Sequence, residues 1–128
     1  MELTFRAKSL ENNKWVKGFF SREIKDNKAI PIIIIEKTDE GNNFLEKYHV
    51  DMDTLGQFIG IGDIRNEAIY SNHKVTYTNE NGKIYLSCEI KQEFGAYVIT
   101  NDLLKGSIPI VNMDFENILC ENLIVELD

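Results

Sequence analysis

Apolar and polar positions alternate with period two along most of this chain, and sustained helical spacing is scarce. Leu3, Phe5 and Ala7 alternate with Thr4 and Arg6, which predicts a half-buried strand. SLENNK supplies turn residues around Asn12-Asn13, and residues 15–20 (WVKGFF) resume as a strand that pairs back on the first. Residues 21–28 (SREIKDNK) are too polar for a core and are expected to form a turn or a helical turn. AIPIIIIE at 29–36 is β-branched and too short for an amphipathic helix, so it predicts a buried strand. Pro31, which has no amide donor, places its own position near the strand start or on an edge. Such a segment needs cover from the fold or from a partner, because exposed it would invite aggregation.

The remaining chain continues in the same way. TDEGNN at 38–43 is expected to be a loop, residues 44–50 extended, and LGQFIGI (55–61) and AIY (68–70) strands around a turn. The clearest local signal is a hairpin of residues 74–78 and 83–91 joined by Asn79-Glu80-Asn81-Gly82, since Asn-Gly supplies positive φ angles. FGAYVIT (94–100) predicts a strand with Gly95 as a bulge, and Asn101 a cap for one helical turn, DLLK, ended by Gly106. Residues 108–113 are expected to be extended. In the tail, Phe115, Ile118, Leu119 and Leu123 have helical spacing while Leu123, Val125 and Leu127 alternate; two short strands are favoured. The resulting expectation is one mainly β domain, residues 1–128, built as a strongly bent antiparallel sheet or a small barrel with little helix.

Composition supports that class. The chain has 128 residues, 43% hydrophobic and 27% charged, with only two prolines, the balance of a globular protein. No apolar run approaches the ~20 residues that cross a bilayer, and the opening MELTFRAKSLENNKW is charged throughout. Cytoplasmic residence and no membrane partner are therefore expected. Cys88 and Cys120 sit in apolar surroundings, where buried free thiols are expected in a reducing compartment.

Charge adds a polarity along the chain. The formal net charge is −7, yet residues 1–28 hold seven basic side chains against four acids, a local +3, which leaves −10 for residues 29–128. Such a chain can pair its basic segment with its acidic remainder or with a neighbouring copy, so a homo-oligomer is expected. The overall acidity argues against nucleic acid as a partner.

Candidate chemistry is thin. On a continuous strand His49, Asp51 and Asp53 would share one face and could ligate a divalent metal, although a solvated strand face fits the same pattern. His73 beside Lys74 reads as a surface imidazole. Gly60-Ile61-Gly62 lacks a following helix pattern, and no nucleophile motif is present. No cofactor is expected.

Gly56-Gln57-Phe58-Ile59-Gly60-Ile61-Gly62-Asp63 followed by Ile69-Tyr70 resembles the central signature of the YopX family. Phe5-Arg6-Ala7 and Asn13-Lys14-Trp15-Val16 resemble its opening pattern, and Asn117-Ile118-Leu119-Cys120-Glu121-Asn122 its closing one. The chain departs from that pattern in three places. Ser71-Asn72-His73 replaces Glu-Gly-Asp, Ile59 replaces a Thr, and a Pro near the C-terminus is absent. The resemblance implies a phage or prophage protein in a bacterial host, a β-rich barrel-like fold, self-association and an unknown activity. Physically the signature residues Gly56, Gln57, Phe58, Gly60, Asp63, Ile69 and Tyr70 look structural: glycines for bends, Asp63 for a turn, Phe58 and Tyr70 for cross-strand packing. The function expected from these features is that of a non-enzymatic phage accessory protein acting through protein–protein contacts. Two rivals are an acidic nucleic-acid mimic, using Asp114, Glu116, Glu121 and Glu126, and a metal-dependent hydrolase using His49, Asp51 and Asp53.

Overall fold

The computed structural model describes residues 4–110, 119–120 and 122–127. The fold is mainly β, as the period-two pattern predicts, and the one helical element among these residues is a single 3-10 turn, Met52–Thr54. The chain divides into two compact units, Met1–Gln57 and Phe58–Asp128.

In the first unit β1 (Phe5–Lys8) pairs antiparallel with β2 (Trp15–Lys25), which pairs with β3 (Lys28–Asp39), which pairs with β4 (Asn42–His49). The opening of β5 (Gly56–Asp63) lies on the other side of β1, with Gln57 opposite Phe5 and Gly56 opposite Arg6. SREIKDNK is strand rather than turn. Asp26 and Asn27 both take positive φ, 52° and 61°, and close a two-residue hairpin with Lys25 opposite Lys28. TDEGNN likewise narrows to a tight turn at Glu40-Gly41, with β3 and β4 running up to it.

The two hairpins are staggered. β2 pairs with residues 28–34 of β3 and β4 with residues 32–39, so all three strands lie side by side only at residues 32–34. Beyond that overlap the sheet continues as two-stranded ribbons running to opposite ends of β3. The core beneath is small: Ala7, Ile33 and Val50 are fully buried, with Phe5, Val16, Ile35, Tyr48 and Leu55 packed around them. Arg6, also buried, lays its guanidinium 3.8 Å from the Trp15 ring centre, a stacked arrangement that lowers the cost of burying a charge.

In the second unit the rest of β5 pairs with β6 (Ala68–Tyr70) and, in parallel, with β11 (Leu119–Cys120). A five-stranded antiparallel sheet follows the order β10 (Ile108–Pro109), β9 (Ala96–Thr100), β8 (Ile84–Glu93), β7 (Lys74–Thr78), β12 (Leu123–Val125). Its inner face buries Val75, Cys88, Ile99 and Leu123 with Ile61 and Ile69. The Asn79–Gly82 hairpin forms as the sequence predicts, and the Asn79 carboxamide accepts from the backbone N–H of Asn81 and Lys83.

Gly95 is not a bulge. It shares a tight turn with Phe94, φ 51° and 81°, between β8 and β9. DLLK forms turns rather than a helical segment, held where Asn101 accepts from the Leu103 N–H at 2.8 Å. The tail strand predicted at Leu123 and Val125 is present as β12. The expectations for residues 111–113 and for Phe115 to Ile118 fall outside the described residues.

Candidate functional site

The signature segment is built as a clamp. Phe58 lies opposite Tyr70 with ring centres 5.8 Å apart, the cross-strand pair the sequence predicts. The register then shifts before Gly62 meets Ala68, and Gly60 takes φ 93° within that irregularity, a conformation that a side chain resists. Ile69 is fully buried.

Asp63 closes the turn and does more than shape it. Its fully buried carboxylate accepts from the backbone N–H of Arg65 (2.9 Å), Glu67 (2.9 Å) and Val125 (2.8 Å), and from the Arg65 guanidinium at 3.3 Å. The same guanidinium donates to the Val125 carbonyl at 2.7 Å. One side chain thus ties the β5–β6 turn to β12. Burial pushes the Asp63 carboxyl up, but the three backbone donors and Arg65 outweigh it and hold the pKa below the ordinary value.

Glu126 forms a second clamp. It accepts from Thr76 Oγ1 (2.8 Å) and from the N–H (2.7 Å) and hydroxyl (3.2 Å) of Ser87, which sits at φ 55° in a β8 irregularity. Neither clamp leaves its carboxylate positioned as an open base.

The His49, Asp51, Asp53 face does not form. Strand β4 ends at His49, and Asp51 instead caps the 3-10 turn, accepting from the Asp53 N–H at 3.0 Å. His49 Nε2 faces Glu23 Oε1 at 3.5 Å, and Lys47 pairs with the same carboxylate. Hydrogen bonding from Lys47 first, then from His49, keeps the Glu23 carboxyl below its usual range. Among the described residues no group of three or more His, Cys, Asp and Glu side chains is arranged to hold a metal ion.

His73 is buried rather than superficial. Its Nδ1 accepts from the Tyr70 N–H at 2.9 Å, which assigns the ring proton of the neutral form to Nε2, and its ring stands edge-on to Tyr70. Cys88 is a buried free thiol, and burial pushes its pKa up, away from a reactive thiolate. The side chain of Cys120 lies outside the described residues.

Comparison with protein families matches the YopX protein model to residues 4–119. The chain belongs to the YopX family. Comparison with curated proteins gives no match.

What the sequence does not reveal is where this YopX chain leaves apolar groups in water. Ile24 is 73% exposed and Leu45 71%, one on each ribbon of the first unit, with Phe44 and Phe19 also exposed. The register puts Ile24 and Phe44 on the face of the sheet that carries Ile33, and Leu45 and Phe19 on the opposite face. In the second unit Phe94 is fully exposed at positive φ in its hairpin turn. Asn would suit that turn better by about 1 kcal/mol, so the aromatic ring there carries a local cost.

Proposed function

We propose that this YopX-family chain is a non-enzymatic, phage-associated protein that works through protein–protein contacts, its own copies included, made along the two ribbons of the first unit. Family membership is consistent with a phage-associated protein of unknown activity, and the contact reading goes further on one observation. Outside the overlap at residues 32–34, the β2–β3 and β3–β4 hairpins continue as two-stranded ribbons that expose Ile24, Phe44 and Leu45. A two-stranded ribbon is marginal in water by itself. Apolar side chains exposed on one face of the β2–β3 ribbon (Ile24) and on both faces of the β3–β4 ribbon (Phe44 and Leu45) favour a partner that covers them.

Replacing Ile24 and Leu45 together by lysine tests this. Wild type is expected to self-associate with rising concentration in sedimentation velocity, or to retain a host protein that the double variant releases, while the melting temperature of the variant stays close to wild type. If sedimentation and capture are the same for both proteins, contact through the ribbons is ruled out.

A further inference from the structure

We infer that the outer edge of β4 is a pairing site for β4 of a second copy, antiparallel about a twofold axis at Leu45. This rests on the ribbon reading above and names the occupant of one ribbon. Among the described residues β4 pairs with β3 on one side and with no strand on the other.

The hydrogen-bond phase of that edge follows from its end. The Val50 N–H donates to the Pro31 carbonyl at 3.2 Å, in register with Ile32 opposite His49. Backbone groups alternate in an antiparallel ladder, so Tyr48, Glu46 and Phe44 turn theirs toward β3, whereas Lys47, Leu45 and Asn43 turn theirs outward. The neighbouring bonds agree: the His49 carbonyl accepts from the Leu10 N–H at 2.8 Å, and the Asp51 N–H donates to the Lys8 carbonyl at 2.9 Å. Residues 8–10 therefore cover the edge from His49 onward and leave it open at Asn43, Leu45 and Lys47.

Charge and register select the occupant. A twofold axis normal to the sheet places one residue opposite itself. Glu46 or Lys47 at the axis would set like charges face to face, which is unfavourable. Phe44 at the axis would overlap only residues 42–46 of the strand. Leu45 at the axis overlaps residues 42–48, pairs every outward backbone group of Asn43, Leu45 and Lys47, and sets Lys47 against Asn43 and Glu46 against Phe44. It also places Leu45 beside its own copy, covering the most exposed apolar side chain of this strand. An exposed edge that meets its own copy without like-charge pairs and in matching hydrogen-bond phase fits a second copy of this chain.

Single cysteines read the register in a Cys120→Ser background. Residues opposite each other in a hydrogen-bonded pair have Cα atoms about 5.5 Å apart, within disulfide reach. Leu45→Cys is expected to give a disulfide-linked dimer on mild oxidation, Phe44→Cys to give none, and Leu45→Lys to sediment as a monomer at concentrations where wild type is dimeric. A Phe44→Cys dimer without a Leu45→Cys dimer overturns the Leu45 axis. Association that survives Leu45→Lys with neither cross-link, but is lost with Ile24→Lys, overturns β4 pairing and leaves contact through the other ribbon standing. A wild type that stays monomeric at every concentration overturns the pairing outright, and ribbon contacts then rest on the host-protein arm alone.

Discussion

Asp63→Ala is expected to cost about 3 kcal/mol, because it removes the acceptor of three backbone donors, of which the Val125 N–H is buried, and the carboxylate partner of the half-exposed Arg65 guanidinium. Whole domains are stable by only about 5–15 kcal/mol, so the second unit should lose a large share of its margin. Urea titration followed by circular dichroism measures this. Asp63→Asn keeps one acceptor oxygen and is expected to recover part of the loss. A change within about 0.5 kcal/mol, the size of ordinary surface substitutions, would mean that the clamp is not holding β12.

The same carboxylate sets an acid limit. Its folded pKa lies below the ordinary value of 3.8, so its contribution is fully present above that value and is lost as pH falls through the folded pKa. Asp63→Asn has no such titration, and its stability should therefore fall less steeply than that of wild type below about pH 4.

The second large effect lies in the first unit. A Cβ on Gly18 would press against the Ile34 carbonyl oxygen and lie 3.0 Å from Ile33 Cγ2. The Ile34 oxygen belongs to backbone and cannot rotate away, so β2 would have to lift from β3. Gly18→Val is expected to cost about 3 kcal/mol by overpacking, and Gly18→Ala somewhat less. Because so few residues are fully buried in this unit, thermal melting should show it as the first part of the chain to unfold. A variant that melts with wild type would mean that the close approach of β2 to β3 at Gly18 is not fixed.

Most of the strand positions were legible, because half-buried strands declare themselves by alternation, as on both sides of the Asn79–Gly82 hairpin. AIPIIIIE was legible by a different signal, a short β-branched run. SREIKDNK does not, and the reason is physical: it forms a ribbon solvated on both faces, so nothing selects apolar residues at alternate positions. Its usable cue was Asp26-Asn27, two residues that tolerate positive φ.

The candidate site was legible only in outline. Asp63 could be recognised as a turn former, but its bond to Val125 spans 62 residues of chain and no local pattern predicts it. His73 resembled a surface residue because its burial comes from the turn back to Tyr70. The His49, Asp51, Asp53 alignment assumed a strand that the Asp51 cap ends. The exposed Leu45 differs from a buried leucine only through strand pairing, which depends on the stagger of β4 against β3.

Amide hydrogen exchange along β4 tests the ribbon edge most directly. In dilute protein, Asn43, Leu45 and Lys47 are expected to exchange fast while Phe44, Glu46 and Tyr48 are protected. At high concentration, or with a captured partner bound, the three fast amides are expected to slow. Fast exchange at Asn43, Leu45 and Lys47 under every condition would contradict the proposal that this edge is where the protein meets its partners.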